Sequence, residues 1–547
     1  MKTKQIYHLL VLILLAVFSC RSSFEKLENK QVFRYNESAN ITSLDPAFSR
    51  NQANIWGVHQ VFNGLLQLND KLEVEPCIAK SWEVSDDGKT YTFFLRNDVF
   101  FHDNQCFPEG KGRRAEAEDF VFSLRRLLDP AVASPGAWVL RNVKKNALGE
   151  PAITAICDTV LRIELETPFP PFPGLLTMQY CSVIPKEAVE FYGSDFRRNP
   201  VGTGPFRFGM WKEGVKMVLL RNTEYFEFEN EIKLPYLDAV SVSFIVDKHT
   251  AFLEFIKGKL DFMSGIDASY KDELLTRSGE LNPKYEGRIR KITQPYLNTE
   301  YLAFQVNPEL PTSKENPLMI PEVRKAINHG FDRKRMMRFL RNNIGQPGVY
   351  GFVPPGLPSF DSTKVKGYDH NPQRSRELLA IAGFPNGQGL PPITIATNAS
   401  YLDLTRYIQN QLNEIGFNIR IDVNPPATLR EMIAHARVPF FRASWIADYP
   451  DAENYLSLFY SRNFTPSGPN YTHFRSDEFD RLYESAMTET NDSLRYSYYH
   501  IMDQVVMDQA PVVVLYYDQV LRFTQINIEN LGSNAMNLLD LKRVRKL

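Results

Sequence analysis

The chain has little cysteine, little histidine and no surplus of either charge. Five cysteines and nine histidines are spread over 547 residues, and their spacings form no tetrahedral metal set. Lys and Arg number 63 against 64 Asp and Glu, a formal net charge of −1 at pH 7. That balance gives no electrostatic footprint for nucleic acid or an anionic lipid surface. Neither His-Glu-x-x-His nor Gly-x-Ser-x-Gly occurs, which removes the zinc-protease helix and the nucleophile elbow. Gly88-Lys89-Thr90 ends like a phosphate loop, but the place of that loop's first glycine is Glu83. Gly202 and Gly204 begin like a dinucleotide fingerprint; Arg207 then stands at the third glycine, and Pro205 removes an amide donor. Internal repeats and low-complexity tracts are also missing. No enzymatic activity, no cofactor and no metal are expected.

Long apolar runs are missing too, apart from one. Lys2 and Lys4 precede an unbroken apolar stretch over residues 9–18, followed by Ser19 and Cys20. The stretch is too short to cross a hydrocarbon core of about 30 Å as a helix. Residues 1–19 instead read as a secretory signal, with Cys20 where a lipoprotein receives its diacylglycerol. Phe18 is bulkier than that junction ordinarily carries, and an ordinary signal peptide with Cys20 incidental is the alternative. The expected location is the cell envelope, lipid-anchored to a membrane and facing the periplasm or the cell exterior. Without residues 1–19 the balance becomes 61 − 64 = −3. Cys77, Cys106, Cys157 and Cys181 remain, as disulfides of an oxidising compartment or as buried free thiols.

At this length one core does not suffice, and the chain should divide into two or three lobes. Helix and strand signals interleave, so the class is α/β. Residues 82–101 read as a hairpin with Asp87-Gly88 in its turn. A helix over 117–128 stops at Asp129-Pro130. A longer one is expected over 321–341, with Val323, Ala326, Ile327 and Phe331 at helical spacing and Gly330 tolerated. Another runs over 402–415, closed by Gly416 and followed by a strand over 417–421. Proline-rich stretches at 168–173, 354–358 and 391–392 mark connections. In 440–453 the pattern gives a strand ending near Ile446, a tight connection and a helix opening at Pro450, with Asp451 and Glu453 at its positive end. Read locally, Asp448 is a turn or cap acid.

Several segments in order resemble one family. They are Phe62-Asn-Gly-Leu-Leu, Trp82-Glu-Val-Ser-Asp-Asp-Gly88-Lys-Thr-Tyr-Thr-Phe, Phe100-Phe-His102-Asp103, Ala117-Glu-Asp119-Phe-Val-Phe-Ser123 and Asn199-Pro-Val-Gly-Thr-Gly-Pro205-Phe. Val323-Arg-Lys-Ala326-Ile, Leu412-Asn-Glu-Ile-Gly416 and Trp445-Ile-Ala-Asp448-Tyr-Pro-Asp451 follow. Over residues 31–525 the chain resembles the extracellular solute-binding proteins of peptide and nickel ABC importers, the oligopeptide- and dipeptide-binding type. The resemblance implies a two-lobed clamshell with an extra subdomain in the first lobe. Lobe I would comprise 31–70, 201–298 and 512–547, the extra subdomain 71–200, and lobe II 299–511.

It also implies that Asp448 pairs with a peptide's α-ammonium, that Ser444 and Ile446 offer backbone to an extended ligand, and that Trp445 forms an apolar wall. Ser49, Arg50 and Asn51, after Leu44-Asp45-Pro46, are expected contacts from the facing lobe. The expected partners are a peptide ligand, the importer's permease subunits and, through the lipid, a membrane; the protein would be a monomer and would bind no nucleic acid. Two other readings stay open: the same fold holding an oligosaccharide, nickel chelate or opine, or a diverged lipoprotein with a scaffolding or chaperone role.

Overall fold

Turn chemistry and alternation agree in the first hairpin, and it forms. In the computed structural model, which describes residues 30–267 and 269–547, strands Ala79–Val84 and Thr90–Leu95 pair antiparallel. Gly88 sits at φ +68 between them, a left-handed conformation open to a residue without Cβ. The helix Ala117–Leu128 starts with a reciprocal cap between Glu116 and Asp119 and stops at Asp129, as its sequence implied. It packs on a four-stranded antiparallel sheet that adds Val160–Glu164 and Ile153–Cys157 to the hairpin.

Two helices stand where one was expected over 321–341. Pro321–His329 ends at Gly330, and Arg333–Leu340 begins afresh with Asp332 accepting from the Arg335 amide. The break frees the Asn328 carbonyl, which takes Arg333 Nη1 at 2.8 Å while Arg333 Nε reaches Val514 O at 2.6 Å. An aspartate cap and a buried arginine thus outweigh an apolar period that runs on unbroken. The helix Leu402–Ile415 closes at Gly416, φ 123, and leads into strand Ile419–Val423.

One large sheet runs through both lobes. Its order is Ile419–Val423, Ile393–Thr397, Phe440–Ile446, Ile289–Phe304, Val512–Gln525, Phe262–Ser264, Val32–Asn36, Ala239–Ser243, Lys216–Arg221 and Phe206–Lys212. The two long strands belong to both halves. Residues 289–295 pair with 519–525, next to Phe262–Ser264, whereas 298–304 pair with Phe440–Ile446. A register shift between Pro295 and Thr299 marks the first crossing. On the return, residues 512–517 pair with 299–303 and with Gln346–Pro347, and residues 519–525 with 289–295, so this strand changes partners at Asp518. A strand that serves two lobes has no composition boundary at its crossing.

Residues 33–66 share one apolar cluster with much of 77–201, so the extra subdomain is fused to lobe I through a common core. In lobe II alternate residues of the strands feed opposite faces: Tyr301, Ala303 and Phe441 one cluster, Leu302, Phe304 and Phe440 another. Cys77, Cys106, Cys157 and Cys181 are free thiols, so the disulfide reading falls; Cys77 and Cys181 are buried, but Cys106 is half-buried and Cys157 exposed.

An acid that makes no ion pair among the described residues lies in the lobe II core. Asp503, 3 % exposed, accepts the Phe352 and Val353 amides at 2.7 and 3.2 Å. Burial pushes its carboxyl up to about 7. Between the unfolded value of about 3.9 and that folded value, the folded state holds a proton that the unfolded chain has released. Its contribution is therefore full below about pH 4 and is lost as pH rises towards 7. Asp503→Asn should flatten the decline in melting temperature from about pH 4.5 to about pH 7.5 relative to wild type. Identical slopes in the two calorimetric series would remove Asp503 as the cause.

Candidate ligand-binding site

The chain turns sharply after strand Phe440–Ile446, and this turn aims an acid into the space between the lobes. Ala447 N still donates to Leu297 O at 2.9 Å, and Asp451 N then bonds back to Tyr449 O at 2.9 Å. The helix expected at Pro450 opens later, as Glu453–Leu456. Asp451 delays it by accepting Glu453 N at 2.9 Å and facing Arg495 at 3.5 Å, so this acid is engaged structurally. Asn454, a residue with no signal in the sequence, fixes the geometry. Its Oδ1 accepts Trp445 Nε1 at 2.9 Å and Asp448 N at 3.2 Å, and its Nδ2 donates to Asp448 Oδ2 at 3.5 Å.

The cavity so approached measures about 660 Å³. Ile446 to Pro450 line it from lobe II, Tyr296 and Leu297 from the crossing strand, and Trp138 and Tyr180 from the subdomain. Lobe I contributes Ser49, Arg50, Trp56 and the C-terminal turn 535–538. The loop carrying Ser49 and Arg50 is clamped by Asp45, which receives both Nη atoms of Arg126 at 3.0 and 2.7 Å and caps its own turn through Ala47 N.

Asp448 is reachable from the cleft, and among the described residues its carboxylate makes no ion pair. Desolvation by the surrounding walls raises its pKa above the usual carboxylate range, opposed by the Asn454 bond. An exposed carboxylate on the cavity wall, whose hydration the neighbouring groups already weaken and which makes no ion pair among the described residues, is chemically suited to a cationic group. Across the cavity Arg50 is exposed and also makes no ion pair among the described residues. Burial is the main cause that raises the pKa of the Tyr180 hydroxyl; of the two charges it faces, Arg50 lowers it and Asp448 raises it. Ser49 is 2 % exposed, and its Oγ is buried without a hydrogen-bond partner.

Of the residues singled out in the sequence, Ser49, Arg50, Ile446 and Asp448 meet on this cavity. Asn51 does not: its side chain accepts Asn54 N at 3.0 Å and caps the helix Gln52–Val61. Trp445 is off the lining, turned to Asn454 and packed on a lobe II cluster. Ser444 sits opposite Glu300 on the strand, short of the cavity. The free edge of that strand is still open. It meets Ile393–Thr397 only at Phe441, so residues 443–446 have no strand neighbour on that side among the described residues, and extended backbone could add there. Tyr180, Trp138, Tyr296 and the 535–538 turn were missed because only the tertiary fold brings them to the cleft. Cys20 lies outside the described residues. Among the described residues no cluster of His, Cys, Asp or Glu could hold a metal ion, and no helix is long and apolar enough to cross a membrane.

The family model for bacterial extracellular solute-binding proteins, family 5, matches residues 73–466. The dipeptide-binding protein DppE of Bacillus subtilis is 24% identical over 536 residues, covering 94% of this chain and 92% of that protein. Heme-binding protein A of Haemophilus influenzae is 27% identical over 468 residues, covering 83% and 80%. Among solved structures, the unliganded open form of the periplasmic murein tripeptide binding protein MppA superposes with a TM-score of 0.80 at 23% identity, covering 95% of this chain and 98% of that one.

Proposed function

Because the chain belongs to the bacterial extracellular solute-binding proteins, family 5, we propose that it captures peptides between its two lobes and delivers them to the permease of an ABC importer. The single observation that carries the reading is Asp448: a carboxylate that lines the interlobe cavity, is reachable from it and makes no ion pair among the described residues. An α-ammonium supplies the missing charge, and the open edge at 443–446 suits a ligand recognised through its main chain. Relatives named for binding a dipeptide and a murein tripeptide fit this reading. Members of this family are binding proteins, and this chain is likewise read as having no catalytic activity; it would act as a monomer. The deciding experiment is calorimetry with a free and an N-acetylated peptide. Loss of binding on acetylation is expected, and equal affinity would point to an uncharged solute such as an oligosaccharide.

The same reading places the protein outside the cytoplasmic membrane on a lipid attached to Cys20. Several acyl chains hold a protein firmly where one binds only marginally. Cys20→Ala should therefore move most of the protein from the membrane pellet to the soluble fraction. Unchanged sedimentation would rule out the anchor.

A further inference from the structure

The lining of the cavity carries one formal cation and one formal anion, Arg50 from lobe I and Asp448 from lobe II. A ligand ammonium answers only the second. Arg50 is exposed and makes no ion pair among the described residues. It also borders a groove on the outer side of its loop, where the one acid among the lining residues is Asp45. Both Nη atoms of Arg126 already hold that carboxylate, at 3.0 and 2.7 Å. Neither space therefore offers Arg50 an uncommitted acid on its own lobe.

A second donor stands beside it. Tyr180 is 7 % exposed and lines the same cavity, and its hydroxyl makes no hydrogen bond among the described residues. Burial raises its pKa most; Arg50 lowers it and Asp448 raises it, so both charges lie within electrostatic reach of one phenol. The ring is seated on Gly136, where a Cβ would come within 2.3 Å of the Tyr180 Cδ1. Only a residue without Cβ lets the ring lie so close. The loop bearing Arg50 is pinned as well, by Ser134 Oγ on Ala47 O at 2.6 Å and by Arg50 N on Phe48 O at 2.8 Å. A guanidinium and a phenol O–H, held in place and both without an acceptor, suit a carboxylate.

We propose that Arg50 and Tyr180 form an anion subsite and that the protein prefers peptides whose first residue has an acidic side chain. The ammonium of that residue lies at Asp448, and its side-chain carboxylate reaches across to Arg50 and the Tyr180 hydroxyl. The proposal rests on the peptide reading of the cavity and adds to it a preference at the first residue. A residue carrying both charges is gripped from both lobes at once, and each pair strengthens as water leaves the cleft.

The test is calorimetry of the full chain with Asp-Ala-Ala-Ala and Glu-Ala-Ala-Ala against the neutral Asn-Ala-Ala-Ala and Met-Ala-Ala-Ala. At least one acidic peptide should bind about tenfold tighter than its neutral counterpart, and Lys-Ala-Ala-Ala should bind more weakly than Met-Ala-Ala-Ala. Arg50→Gln should cost that acidic peptide about tenfold more than the neutral one, and Tyr180→Phe should narrow the same difference. Amidating the C-terminus should leave the preference in place. A preference that vanishes on amidation would give Arg50 to the terminal carboxylate and overturn the assignment. Equal affinities of acidic and neutral peptides, or an Arg50→Gln loss that is the same for both, would overturn it while leaving the ammonium at Asp448 intact. Failure of every peptide to bind would overturn the peptide reading and this inference together.

Discussion

Asp448→Asn is expected to weaken binding of a free peptide by roughly thirtyfold or more, while the melting temperature of the unliganded protein stays close to wild type. An exposed ion pair contributes only ~0–1 kcal/mol, but lobe closure removes water from this one. Truncating one partner of a buried charged pair typically costs ~2–5 kcal/mol, partly because the other charge is stranded, and each 1.4 kcal/mol is about tenfold. The unliganded protein has little to lose. The helix Glu453–Leu456 after the turn has Ala452 at its N-cap and no side-chain cap, and among the described residues the Asp448 carboxylate accepts one hydrogen bond, 3.5 Å long. A capping acid would behave in the opposite way, lowering stability by about 0.5–2 kcal/mol with little specific loss of affinity. Acetylating the peptide removes the same interaction from the ligand side, so the two changes should be strongly non-additive in a calorimetric cycle. The sign of the pH effect follows as well. The pKa of Asp448 is raised by desolvation, so affinity should begin to fall with acid at a higher pH than an ordinary carboxylate would give.

The contrast between Asp448 and its neighbours shows how far the sequence carries. A hairpin turn with Asp87-Gly88, a capped helix from Ala117 and the glycine stop at Gly416 are decided by residues within a few positions, and these were legible. The break at Gly330 was not, because the apolar period continues through it while Asp332 and Arg333 act through a cap and through strand carbonyls far along the chain. The candidate site divides in the same way. Asp448 and Ile446 follow from one short motif on one strand. Asn51 lay beside true lining residues in sequence, yet its side chain is consumed by the helix it caps. Alternation turned Trp445 away from the cavity that its neighbour Ile446 lines, and a motif alone does not say which face of a strand the cleft will meet. The floor of the cavity, residues 535–538, comes from the far end of the chain and carries no signal of its own.

That floor depends on one residue whose replacement should be among the most damaging in the molecule. Arg522, fully buried on the returning strand Val512–Gln525, donates from Nη1 to Gly532 O at 3.0 Å and from Nη2 to Leu538 O at 2.7 Å and Asn537 Oδ1 at 2.9 Å. Burial pulls its pKa down to about 10, which leaves it charged at neutral pH, stacked near the Phe262 ring. The turn it gathers is tied to lobe I by Trp56 Nε1 on Asn537 O at 2.9 Å and to the crossing strand by Gln294 Nε2 on Asn534 O at 2.8 Å. Arg522→Met keeps much of the volume and removes every donor. Gly532 O then loses its side-chain partner, and Leu538 O and Asn537 Oδ1 retain only long contacts of 3.4 and 3.3 Å. A buried acceptor stripped of its donor costs about 1–3 kcal/mol, so the sum should reach about 3 kcal/mol or more. Arg522→Lys should rescue little, since a single ammonium cannot span acceptors that a planar fork reaches together. Urea unfolding should show the loss, and calorimetry should show weaker binding of free and acetylated ligands alike, because the wall itself has loosened. That uniform loss separates a residue that builds the cavity from Asp448, whose removal should be felt only by a ligand carrying an ammonium. Wild-type stability in Arg522→Met would mean that the 535–538 turn is held by Trp56 and Gln294 without it.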